Sequence, residues 1–198
     1  MNSAPSTSTW ISGYLEQQRA LLSDLPVDAI VSLIKALRQA ARNGTTIFLA
    51  GNGGNAASAA HFATDLGKGA SDVWPARFRV VCLADHVAWL TALANDYSYE
   101  DVFVRQLMNF GRPGDILLSS SVSGNSPNLV KAAEWARANG LKTISMVGGR
   151  NGRLAEISDE VILIKDIHYG RVEDAQMTIF HLAAYAFMEP AAGVADAP

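Results

Sequence analysis

The sequence predicts an α/β fold, a five-stranded parallel sheet sandwiched by helices. Three observations predict it. Five short apolar runs alternate with segments of helical period. Two of those runs end in loops rich in glycine or serine, the kind found at the carboxyl ends of parallel strands where ligands bind. Hydrophobic residues make up 49% of the 198 and charged residues 18%, enough apolar material to cover a sheet on both faces.

Residues 1–8 are rich in Ser, Thr and Pro and read as a flexible N-terminus, 9–190 as a single domain, and 191–198 as a flexible tail. Two amphipathic helices come first, over 9–24 and 26–43. The second has Pro26 near its start, Asp28 in its first turn and Asn43-Gly44 as a stop, and repeats Ile30, Leu33, Ile34 and Leu37 at helical spacing. Together they carry Trp10, Ile11, Leu15, Leu21, Leu22 and Val31 as well, more apolar surface than a monomer covers, so these N-terminal helices are expected to serve oligomerisation. The period then changes. Strands are expected at 46–50, 78–84, 115–118, 143–147 and 160–164. Between them lie helices at 55–68, at 87–110 with a break near Asn95-Asp96, at 127–139, and a short one at 153–157. A long helix over 171–188 closes the domain.

Several function classes are excluded at this level. A formal charge of −3 offers no electrostatic footprint for nucleic acid or an anionic membrane. The single cysteine, Cys82, rules out a disulfide framework and a cysteine-rich zinc site, and its place in Val80-Val81-Cys82-Leu83 reads as a small buried hydrophobe. No uninterrupted apolar run is long enough to span a membrane and no leader pattern opens the chain, so a cytoplasmic protein is expected.

The chemistry gathers in two loops. The first, Gly51-Asn52-Gly53-Gly54-Asn55, allows positive φ and close backbone approach. The second runs from Ser119 to Ser126 and meets a helix at Pro127. Serine hydroxyls and a helix N-terminus suit an anion, and two such loops in one sheet point to a small phosphorylated ligand. Neither loop has the spacing of a Walker or dinucleotide motif. Beyond the first loop, His61 and Asp65 share a helix face at i,i+4; Glu173 and His181, eight apart, share a face of the last helix. Two imidazoles and two carboxylates suit either a divalent metal or general acid–base work, if the two helices meet.

GNGGNAASAAHFATDL, AWLTALANDYSYEDVFVRQL, SSSVSGNSP and the final helix together resemble the sugar-isomerase (SIS) domain, specifically the phosphoheptose isomerases, over roughly residues 10–190. The resemblance implies a homotetramer with sites between subunits, and interconversion of sedoheptulose 7-phosphate and D-glycero-D-manno-heptose 7-phosphate. It implies a zinc or other divalent ion on His61, Asp65, Glu173 and His181, with Gln176 an alternative to Glu173. Asp65 is then the base and His181 the acid. Substrate falls to Asn52, Gly53, Gly54, Asn55, Asn95 and Asp96, with the phosphate on Ser121, Ser123 and Ser126. The chain departs from the family pattern with Asn55 for serine, Asp65 for glutamate, Glu173 for glutamine, Val122 for threonine, Gly69 for arginine and Gly170 for aspartate. Two alternatives accompany this reading: a non-catalytic SIS binding protein of the replication-initiator-associating type, and an SIS isomerase for a different ketose phosphate.

Overall fold

The computed structural model describes residues 6–189. Residues 1–5 and the expected tail 191–198 lie outside the described residues. The expected helix 9–24 is corrected at its start: α1 (Thr7–Ser23) begins two residues earlier, because the Ser6 hydroxyl accepts the Thr9 N–H at 3.2 Å and caps the first turn. α2 (Val27–Asn43) follows, then β1 (Thr46–Gly51) and α3 (Gly54–Thr64).

The expected continuous helix 55–68 is also corrected. After Thr64 the backbone widens into a π-helical turn, Asp65–Ala70, and returns to α geometry in α4 (Ser71–Val73). Gly67 and Gly69 weaken the α preference here. The Ser71 hydroxyl donates to the Leu66 carbonyl at 3.1 Å and accepts the Phe78 N–H at 2.9 Å, tying the wide turn to the approach of the next strand. β2 (Arg79–Cys82) is shorter than expected. The expected helix 87–110 is three pieces: α5 (Val87–Asp96), a single 3₁₀ turn (Tyr99–Asp101) and α6 (Val104–Phe110). β3 (Ile116–Ser121) runs three residues past the expected end, so Ser119–Ser121 are strand and not loop. α7 (Pro127–Ala138), β4 (Lys142–Gly148), α8 (Gly152–Ile157), β5 (Glu160–Ile164) and α9 (Tyr169–Met188) complete the chain.

The five strands are parallel, in the order β2-β1-β3-β4-β5. Successive side chains of a strand face opposite ways, so Ile47 and Leu49 enter one core while Phe48 and Ala50 enter the other. The first core is closed by α2, α3, the π turn and α9; the second by α5 to α8. β1 and β3 are neighbours, yet the chain leaves β1 toward β2 and leaves β3 toward β4, on the other side. A crevice opens between their carboxyl ends, where open α/β sheets take ligands.

Candidate active site

Both predicted loops rim that crevice, with Gly51 paired to Ser120 across the strands. Gly53 holds φ +56°, which a side chain would strain. Gly54 has no room for one: a Cβ there would lie 2.6 Å from Glu173 Oε2. The Glu173 carboxylate thus packs against the loop, and Asn55 Nδ2 reaches its Oε1 at 3.4 Å. Asn52 and Asn128 exchange two amide hydrogen bonds, each 2.9 Å, which fasten the β1–α3 loop to the first turn of α7. Tyr99 donates to the same Asn52 oxygen at 3.0 Å.

Across the crevice the Ser121 hydroxyl accepts the Gly124 N–H at 3.1 Å, and the Ser123 hydroxyl accepts the Asn125 N–H at 3.2 Å. Ser126 caps α7 by position, with no hydrogen bond from its side chain to the helix. The result is a cleft of about 90 Å³ lined by both loops, Tyr169 and Glu173. Its lining holds no lysine or arginine. Two polar atoms lie buried without a partner in that lining, Ser120 Oγ and Asn55 Oδ1. Orphaned polar atoms are costly unless a ligand or water satisfies them, so the cleft is built to receive one.

α3 and α9 run side by side in the same direction. Asn55 meets Glu173, the Phe62 and Phe180 rings stack at 4.4 Å, and Gly69 faces Met188. Partway along, Asp65 Oδ2 lies 3.4 Å from His61 Nε2 and 3.8 Å from His181 Nε2, with the two imidazole rings 5.2 Å apart. One ligand atom from each of these three lies within 4.8 Å of the others. Two imidazoles and a carboxylate make a donor set that suits a divalent ion and leaves a coordination position open. The cluster is reached from solvent: His61 is exposed, His181 half-buried.

The remaining predicted residues divide. Glu173 does not join the cluster within this chain. Eight residues of helix separate it from His181 by about 12 Å, so a shared face is not a shared point. Gln176 is fully buried under the sheet and donates to the Met146 carbonyl at 3.2 Å, which takes it away from the cleft. Asn95 and Asp96 are exposed at the end of α5, hydrogen-bonded to each other at 2.9 Å, and do not line the cleft. Gly69 and Gly170 are filled from elsewhere: a Cβ would lie 2.9 Å from Met188 Sδ at Gly69 and 2.8 Å from the Tyr14 hydroxyl at Gly170. Burial pushes the Cys82 thiol up to about 12, which keeps it protonated at neutral pH, as a core residue should be.

Sequence reasoning missed Asn128, Tyr99 and Tyr169. An amide in the first turn of the helix after the serine loop was the available signal for Asn128. It also missed Asp166. That carboxylate grips Arg171 at 2.6 and 3.0 Å and accepts the His168 N–H at 2.9 Å, which fixes the start of α9 and hence Glu173. The Arg171 guanidinium holds the Asp166 carboxyl below the usual carboxylate range.

Comparison with known proteins fits this geometry. The family model described as the SIS domain matches residues 13–148. The phosphoheptose isomerase of Chlorobaculum parvum is 37% identical over 159 residues, covering 78% of this chain and 75% of the relative. The probable phosphoheptose isomerase of Thermoplasma volcanium is 33% identical over 172 residues, 87% of each chain. The chain belongs to the SIS-domain phosphoheptose isomerase family. Its fold is that of the family's solved members: a phosphoheptose isomerase from Francisella tularensis superposes with a TM-score of 0.85 at 25% identity, over 92% of this chain and 98% of that one. Asn55 and Glu173 line the crevice of this phosphoheptose isomerase family member, and Asp65 lies in the histidine cluster between α3 and α9.

Proposed function

We propose that this chain is an aldose–ketose isomerase of a sugar phosphate, interconverting sedoheptulose 7-phosphate and D-glycero-D-manno-heptose 7-phosphate. The observation that carries the reading is the convergence of His61, Asp65 and His181 between α3 and α9, about 12 Å along α9 from the Glu173 that lines the serine crevice at the switch point of the sheet. The names of the relatives support the substrate.

In this reading Ser121, Ser123 and Ser126 hold the phosphate through neutral donors, and Asn52, Gly53, Gly54 and Asn55 border the sugar. Asp65 takes the proton from the carbon next to the carbonyl, leaving an enediol, and returns it to the neighbouring carbon. His181 moves the proton between the two oxygens. His61, at 3.4 Å from Asp65, orients that carboxylate. His61, Asp65 and His181 would hold a divalent ion, zinc by donor type. Such an ion supplies polarisation of the carbonyl and hydroxyl oxygens. Glu173 completes the site from a neighbouring subunit, because its own chain holds it about 12 Å away along α9. That sharing and the apolar residues that α1 leaves uncovered support a homotetramer with sites between subunits, which we place in the cytoplasm.

A different ketose phosphate as substrate is favoured by one observation: where the resemblance implies an arginine and an aspartate, the chain has Gly69 and Gly170, with Met188 Sδ and the Tyr14 hydroxyl packed against them. The paired histidines count against the non-catalytic alternative. The test is turnover of a panel of ketose phosphates together with metal analysis. Turnover of sedoheptulose 7-phosphate, lost in His181→Ala along with bound metal, is the expected result. A folded, metal-supplied protein that turns over no member of the panel would sink the isomerase reading, and turnover of another member alone would select the second.

A further inference from the structure

The crevice uses the carboxyl ends of the strands. At their opposite ends lies a larger cavity of about 550 Å³, lined among others by Arg79, Val81, Phe110, Arg112 and Asp115. Its size falls within the roughly 300–1,000 Å³ of small-molecule sites. Arg79 opens the edge strand β2, and Arg112 sits in the turn that leads into β3, so the two guanidinium groups come from separate elements. Both are exposed, and neither guanidinium makes a hydrogen bond or ion pair to the described residues, a state they share with Arg150, whereas Arg77, Arg105, Arg137, Arg153 and Arg171 each pair with a carboxylate. The carboxylate in the lining, Asp115, is already engaged: Oδ1 accepts the Thr46 N–H at 2.7 Å and Oδ2 the Arg112 N–H at 2.8 Å. Phe110 and Val81 are exposed and give the cavity an apolar wall, the Phe110 ring held edge-on by Trp89 at 5.5 Å.

Two unpaired guanidinium forks beside an apolar wall match one chemical class. A phosphoryl group offers the several acceptor oxygens that guanidinium binds in paired fashion, and an attached carbon body would cover the wall. We propose that this cavity is a second ligand site, which binds a phosphate ester with its phosphoryl group on Arg79 and Arg112 and its body against Phe110 and Val81. A strand of six residues is roughly 20 Å long, so this ligand does not overlap the crevice and does not compete with the substrate there.

The experiment is calorimetric titration of the full chain with inorganic phosphate, adenosine monophosphate and glucose 6-phosphate. The wild type is compared with Arg79→Met/Arg112→Met and with Ser121→Ala/Ser123→Ala. Two classes of phosphate site per chain are expected in the wild type. The arginine pair variant should weaken one class at least tenfold and leave the KM of the isomerase reaction within twofold; the serine pair variant should weaken the other class. Tighter binding of the nucleotide or of the sugar phosphate at the arginine site tells which body the wall takes, and equal binding of all three assigns recognition to the phosphoryl group. If the arginine pair variant binds all three ligands like the wild type, the proposal falls. It falls too if light scattering shows that variant altered in assembly with its ligand stoichiometry intact, since the cavity is then a subunit contact. Arg112→Met alone, with the same tenfold loss expected, replaces the double variant if the latter does not fold.

Discussion

At Ser123 the hydroxyl accepts one N–H bond, from Asn125, and its own proton is left for a ligand oxygen. Ser123→Ala therefore removes one donor to the phosphate together with the acceptor of the Asn125 N–H. The loss should be about 1–3 kcal/mol, read as a higher KM for the best substrate with little change in kcat; an unchanged KM would place the phosphate elsewhere. Glu173 works in the opposite sense. Its carboxylate borders a cleft without a basic residue in its lining and so opposes any anion that enters. In metal-free protein, Glu173→Gln should tighten binding of inorganic phosphate by about 1 kcal/mol, the scale of two charges a few ångströms apart in a well-solvated site. Equilibrium titration of the two proteins checks this. Weaker binding in Glu173→Gln would show that the carboxylate does not face the anion.

Among the elements, the start of α9 is the one whose placement rests on charge. Asp166 and Arg171 are both mostly buried, and the Asp166 carboxyl titrates below its ordinary range because Arg171 stabilises the ionised form. A depressed folded value means that the pair's contribution is complete above the ordinary carboxylate value, near 4, and fades as the pH falls below it through the folded value. Asp166→Asn should thus cost about 1–3 kcal/mol at pH 7 and progressively less toward pH 3. Urea unfolding at the two pH values would check the difference; an equal cost at both would assign Asp166 to backbone hydrogen bonding alone. This scale also shows what the residues made legible. The strands were readable because apolar runs of four to six residues between breakers have few other homes. β3 was cut short because three serines carry no strand signal; they are strand because Ala50 and Val147 pair with them from either side. The π turn was invisible because it preserves the apolar face on which helical periodicity is judged. His61, Asp65 and His181 were legible as a group by residue type, and the meeting of their helices came from tertiary packing of Phe62 on Phe180. Spacing put Glu173 on the face of His181 but is silent on how far along the helix a partner lies, so it could not show that the two stand about 12 Å apart within one chain.

For the whole molecule the deciding surface is α1. Leu21 is buried, but Trp10 and Leu15 are each about 60% exposed and Ile11 and Leu22 are exposed beside them. Side chains of this kind gain roughly 1.5–3 kcal/mol each when covered, which favours burial against another copy in a closed assembly. If the proposed tetramer forms, Trp10→Glu/Leu15→Glu should dissociate it while the monomer keeps its helical content, measured by light scattering and circular dichroism. A wild-type chain that is a stable monomer at micromolar concentration would overturn the assembly.

The distance between Glu173 and His181 has a consequence for genetics. If α9 serves two sites at once, lending its beginning to one and its middle to another, then damage at each point travels to a different place. Two inactive proteins, one carrying Glu173→Ala and the other His181→Ala, should then rescue each other when produced together in one cell. In randomly mixed assemblies, chance alone leaves roughly one site in four with both contributions intact. Activity near a quarter of the normal level, from parents that have none, is the expected signature. Complete silence from mixed tetramers, shown to form by mass spectrometry, would mean that each chain keeps both residues for itself.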